Sequence, residues 1–205
     1  MNNVDYNQSE KKSSWSLDGF ISNTILPYLS NIAFVFFLLI VVFMLCFRIT
    51  CVDGRSMNNT LMDGDYVLLL NDFLCGDYER GDVIVASKDG FRNGERIIKR
   101  VIATEGQWVD INFETGTVKV DGEVLDEPYI STPTTVSEGL TFPLRVDEGC
   151  VFVLGDNRAL SMDSRHPQIG QIDCREIVGK ALFVFYPGKS VDSGKRDFDR
   201  IGGID

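Results

Sequence analysis

The sequence predicts an all-β domain preceded by one N-terminal transmembrane helix, and three observations support this. The stretch from Ile25 to Phe47 contains no charged residue, and IAFVFFLLIVVFMLCF from Ile32 to Phe47 has no polar interruption. Beyond it come short runs rich in Val, Ile and Phe, separated by turn signals. No helical period of convincing length appears after Phe47, and no internal repeat is visible.

A helix needs roughly 20 residues to cross the hydrocarbon core, so the apolar run is long enough to span a bilayer. A cleavable secretory peptide is the competing reading. The run starts late, however, and is followed by Arg48 rather than by a small-residue cleavage site. A buried core helix fits less well, because no face is polar. Lys11 and Lys12 before the run are balanced by Arg48 and Arg55 after it, so a count of basic residues does not orient the span.

Four segments follow from composition. Residues 1–24 form a polar N-terminal tail, 25–47 the transmembrane helix, 49–190 the β-rich domain and 191–205 a polar C-terminal tail. Strands are expected at YVLLL (66–70), DVIVAS (82–87), RIIKRVIA (96–103), WVDINF (108–113), TVKVDG (117–122), CVFVLG (150–155) and IVGKALFVFYP (177–187). Thr115-Gly116 and Asp121-Gly122 mark hairpin turns.

The net charge of -10 argues against a nucleic-acid partner, which needs a concentrated basic face. Five cysteines without CxxC spacing argue against a zinc site and read as small buried hydrophobes. His166 is the one histidine, so a Ser-His-Asp triad would have to use it. In the loop SRHPQ it reads as an exposed residue rather than a rigidly held base.

Serine with another base then comes forward. Ser56 follows Gly54 in VDGRSMNNTLMDGDYVLL, and taken alone it fits a turn leading into a strand. Lys99 lies in RIIKRVIATEG, where period 2 puts it on the face of Ile97 and Val101. An edge-strand lysine that discourages aggregation is the plain reading. An ordinary lysine amine is almost wholly protonated at neutral pH, and burial in an apolar wall is the change that would free it to act as a base. GDNRALSMDSR, residues 155–165, opens as a turn and packs carboxylates, arginines and serines into a potential hydrogen-bond network.

Taken together and in this order, these pieces resemble the bacterial type I signal peptidases. GRSMNNTL is similar to that family's nucleophile box, KRVIATEGQ to its lysine box, GDNRALSMDSR to its GDN box and GKALFVFYP to its closing strand. The likeness covers about residues 32–187. It implies a β-rich catalytic domain of the signal-peptidase type, with Ser56 as nucleophile and Lys99 as general base. It further implies that Ser161 bonds and orients the lysine, and that Asp163 clusters with Arg100 and Arg165. Gly155, Asp156 and Asn157 become the structural turn beside the site, the Ser56 N–H the oxyanion donor, and Val52, Met57, Val85 and Ile98 the wall of the substrate pockets. Asn59 stands where the family usually has proline, and Gly54 where some members have serine.

The expected activity is removal of signal peptides from exported preproteins after small-x-small motifs, without metal or cofactor. The partners are preproteins and the lipid bilayer. The expected location is the bacterial cytoplasmic membrane, single-pass, with the domain on the extracytoplasmic face. A self-cleaving Ser-Lys peptidase and a catalytically silent membrane-tethered β-domain are the rival readings; the first would lack the span and the GDN box.

Overall fold

The computed structural model describes residues 21, 25–88, 95–189 and 194–204. The expected N-terminal tail, apart from Ile21, lies outside them. The chain divides into two compact units, Met1–Met44 and Leu45–Asp205. Helix α1 (Leu26–Cys46) has no buried residue. Among the described residues it is the one helix long and apolar enough to cross a membrane. At about 1.5 Å per residue it is roughly 31 Å long, close to the thickness of a bilayer's apolar core. It ends one residue earlier than expected, because Phe47 already opens a strand.

The second unit is built on an eight-stranded sheet. Its order is β1 (Phe47–Cys51), β2 (Tyr66–Asn71), β11 (Ile177–Tyr186), β3 (Val83–Ser87), β4 (Arg96–Thr104), β9 (Cys150–Leu154) and β10 (Ile172–Asp173), with β12 (Gly202–Gly203) added beside β11. A four-stranded sheet carries β7 (Glu123–Val124), β6 (Thr117–Val120), β5 (Trp108–Asn112) and β8 (Leu144–Arg145). All pairings are antiparallel. β11 is long and bulged, shifting register near Leu182 and Phe185, which lets one strand serve β2, β3 and β12. The turn between β6 and β7 puts both Asp121 and Gly122 at positive φ, 53° and 86°, as the favoured two-residue hairpin requires.

Three apolar clusters hold these layers together. Val109, Ile111, Val118 and Val120 of the small sheet pack on Ile102, Phe152 and Leu154 of the large one. Ile84, Val101, Val153 and Ile172 form a second cluster, and Met57, Leu61, Val67, Leu69 and Val85 a third. β4 therefore runs between clusters and is buried continuously from Lys99 to Ala103, with no alternation to expose a polar face.

The C-terminal segment is not a loose tail. Residues 194–204 return to the sheet, where Gly202 and Gly203 pair with Val184 and Phe183 of β11. Ring contacts between Phe198 and Tyr186 fix the return, as does the Arg196 guanidinium 4.3 Å over the Tyr186 ring.

Candidate active site

Ser56 sits in a loop closed at its base like the end of a ladder. The Val52 N–H donates to the Asp65 carbonyl and the Gly64 N–H to the Val52 carbonyl, both at 2.8 Å. Gly54 adopts φ +98°, a conformation costly to any residue with a Cβ, while its N–H donates to Asp63 at 2.9 Å. Met57 and Leu61 pin the far side of the loop into the core, and the Leu61 N–H donates to the Met57 carbonyl. Ser56 is left half-buried, with its hydroxyl toward β4.

Lys99 is 4% exposed and lies opposite Ile84 in the β3–β4 register. Its Nζ donates to Ser56 Oγ at 2.7 Å and to the Ile98 carbonyl at 2.9 Å. Burial lowers its pKa to about 8, although Asp163, Asp156 and Glu138 pull the other way. That value leaves roughly a tenth of the molecules with a neutral amine at pH 7, against fewer than about one in a thousand for an unperturbed lysine. A neutral amine within hydrogen-bond reach of a serine hydroxyl can take its proton.

β9 ends at Leu154, beside the Lys99–Arg100 step of β4, and delivers the chain into the GDN turn. Gly155 is required there by close approach: a Cβ would lie 2.2 Å from Ser161 Oγ and 2.5 Å from the Ser56 carbonyl oxygen. Asn157 holds the main chain around Ser56, its N–H donating to the Ser56 carbonyl and its amide to the Arg55 carbonyl, each at 3.0 Å. Arg100 makes two parallel bonds to Asp156 at 2.9 Å, and the Thr60 hydroxyl donates to the same carboxylate. Asp163 takes Arg165 at 2.8 and 2.9 Å and the Gly155 N–H at 3.0 Å. Removing one partner from pairs this deeply buried would cost about 3–5 kcal/mol.

A model of the family described as signal peptidase, peptidase S26, matches residues 25–186. The chain belongs to the signal peptidase family. Signal peptidase I of Bacillus licheniformis is 34% identical over 144 residues, which are 66% of this chain and 75% of that protein. Signal peptidase I T of Bacillus subtilis (strain 168) is 33% identical across 81% of this chain and 88% of its own. Signal peptidase IB of Staphylococcus aureus (strain COL) is 32% identical across 80% and 90%. The crystal structure of a signal peptidase I from Enterococcus faecalis V583 covers 51% of this chain and 96% of its own, with 30% identity and a TM-score of 0.42.

Beside Ser56 and Lys99 this signal-peptidase domain has a cleft of about 250 Å³, whose walls include Val52, Val85 and Ile98. Met57 is a correction: at 1% exposure it packs into the core under the loop and does not line the cleft. Ile97, Leu160 and Met162 line it instead, with Asp53, Arg55, Glu95 and Arg96 among its charged residues.

Two further expectations change. Ser161 does not bond Lys99: its hydroxyl is buried with no hydrogen-bond partner among the described residues, while the Lys99 amine donates to the Ile98 carbonyl. Arg100 pairs with Asp156 rather than Asp163, so two separate ion pairs replace the expected cluster. The His166 Nδ1 accepts the Gln168 N–H at 3.1 Å within its own loop.

A third buried pair went unread in the sequence. Arg158 donates to Glu127, Thr134 and the Gly155 carbonyl, tying the loop after β7 to the GDN turn. The Ser131 N–H reaches the Asp156 carbonyl, and Tyr129 lies 4.1 Å under the Arg100 guanidinium. No local signal in the sequence pointed to this pair, because Glu127 lies 31 positions from Arg158 while Asp156 and Asp163 stand closer in the chain.

Proposed function

We propose that this chain is a signal peptidase I: a membrane-anchored serine endopeptidase that removes signal peptides from exported preproteins with Ser56 and Lys99 as a catalytic dyad. The observation that carries the reading is the 2.7 Å contact between Ser56 Oγ and a buried Lys99 amine whose pKa is lowered to about 8. Ser56 Oγ attacks the scissile carbonyl carbon while its proton passes to Lys99. The tetrahedral adduct collapses, the leaving amine takes that proton, and an acyl-enzyme remains. Water, deprotonated by the same amine, then attacks the ester and releases the acid. Among the described residues nothing accepts from the Ser56 N–H, which leaves it to donate to the oxyanion.

Extended substrate fits the cleft because the stretch Arg96–Lys99 of β4 pairs with β3 on one side only; β9 joins from Arg100 onward. A strand added there turns alternate side chains toward Val52, Val85 and Ile98, so the first and third residues before the cut must be small. The helix α1 fits a membrane anchor, and the fate of exported substrates puts the domain on the extracytoplasmic face.

The decisive experiment incubates the purified full chain with a preprotein and sequences the new N-terminus. A cut after a small-x-small motif that vanishes in Ser56→Ala and in Lys99→Ala is the expected result, with the double variant no worse than either single one. Appreciable turnover by either single variant removes the assignment. Protease added to intact spheroplasts should digest the domain; protection until lysis would reverse the orientation.

A further inference from the structure

The returning C-terminal segment grips the loop that carries Ser56, and the mechanism above makes no use of that grip. Asp65, with no exposed surface, closes the loop. Its carboxylate accepts the Met62 and Gly188 N–H groups, each at 2.7 Å, and both terminal nitrogens of Arg200 at 2.7 and 3.0 Å. Arg200 also reaches the Thr60 carbonyl at 3.4 Å, and Thr60 is the residue whose hydroxyl bonds Asp156, the partner of Arg100. Gly188 crosses so close to the loop that a Cβ would lie 2.1 Å from the Asp63 carbonyl oxygen.

We propose that Arg200 is a positioning residue for the nucleophile: its two-pronged hold on Asp65 and Thr60 sets the loop, and so the place of the Ser56 hydroxyl relative to Lys99. The proposal rests on the Ser56–Lys99 reading. Arg200 touches no reacting atom. Without it Asp65 still keeps two backbone N–H donors, so the loop retains its closure while losing the tie that fixes its angle against the GDN turn. Val85 and Ile98 stand on β3 and β4, outside this contact, and Val52 keeps its own backbone bonds to Asp65 and Gly64, so substrate binding is left in place. The loss therefore falls on kcat rather than on KM, as a small displacement of a reacting group does.

The test compares preprotein cleavage by the full chain in detergent for wild type, Arg200→Gln, Arg200→Lys and Ser56→Ala, with the folded fraction taken from near-ultraviolet circular dichroism. Arg200→Gln should lose about 100-fold in kcat per folded molecule, with KM changed by less than about threefold. Arg200→Lys keeps the charge without the fork and should recover about tenfold of that loss. If Arg200→Gln does not fold, Arg200→Lys decides: kcat about tenfold below wild type at unchanged KM supports the proposal, and wild-type kcat overturns it. A loss confined to KM, or wild-type kcat in Arg200→Gln, also overturns it. Turnover by Ser56→Ala would overturn the dyad reading instead, whatever Arg200 does.

Discussion

The backbone N–H of Asn157 donates to the carbonyl of Ser56 at 3.0 Å, so the GDN turn holds the main chain of that serine while leaving its hydroxyl to Lys99. Backbone and side chain of one serine are thereby fixed from two different segments. Preorganisation of this kind spares the reaction the entropy of bringing base and nucleophile together.

The pH profile follows from the lysine. In the proposed mechanism Lys99 works as a neutral amine, and its pKa is lowered to about 8, so kcat should rise from neutral pH and level off on the alkaline side of that value. His166→Ala should leave both rate and profile unchanged, because its ring is engaged with the Gln168 N–H. Stopped preprotein cleavage from pH 6 to 10 checks this; a midpoint near 6.5 that disappears in His166→Ala would transfer the base role to histidine.

Burying that amine costs the fold stability. In the unfolded chain Lys99 keeps its ordinary pKa of 10.5, whereas in the folded chain it is lowered to about 8. The penalty is complete below the folded value, fades between the two, and is gone above the unfolded one. Lys99→Met should therefore be inactive yet more stable at pH 7, by up to about 3 kcal/mol, with the gain shrinking as pH rises toward 10. Urea unfolding at several pH values reads it out, and a variant less stable than wild type at pH 7 would contradict the account.

Gly155→Ala should damage the site out of proportion to its size. The added methyl meets Ser161 and the Ser56 carbonyl oxygen, and the latter is backbone that cannot rotate away. A loss of about 1–3 kcal/mol in stability is expected from the overpacking. A fall of about 100-fold in kcat should accompany it as Ser56 is pushed from Lys99. Wild-type kcat in folded Gly155→Ala would show that the turn does not set the nucleophile.

Specificity and packing separate at two residues. Ile98→Ala enlarges the cleft wall and should admit Leu or Val at the first position before the cut, where the proposed specificity has wild type take Ala. Met57→Ala lies outside the cleft and should cost about 2–5 kcal/mol of stability without broadening that preference. A peptide series varying the first position, run beside thermal melts, distinguishes the two; unchanged preference in Ile98→Ala would sink the pocket assignment.

The main strands were legible because Val- and Ile-rich runs such as RIIKRVIA and CVFVLG match β4 and β9 to within a residue or so. What escaped had no local signal. β1 reads FRITC straight after an apolar helix, and β12 is a pair of glycines with no strand preference of their own. Lys99 and Arg100 looked like opposite faces of one strand, yet both are buried, because β4 is covered on both sides and period 2 no longer separates inside from outside. The box residues led to Ser56 and Lys99, which the fold brings within 2.7 Å of each other. Which acid each arginine takes was set by tertiary geometry, and the resemblance, which grouped Asp163 with both Arg100 and Arg165, did not separate the two pairs.

The ties that complete the site join residues far apart in the chain: 102 positions separate Arg55 from Asn157, and 135 separate Asp65 from Arg200. Such loops close late in folding, after the entropy of joining their ends has been overcome. The segment that carries Ser56 leaves a ribosome well before Arg200 does. A chain that has emerged past Ser56 but not past Arg200 would hold its serine without this outer part of the frame.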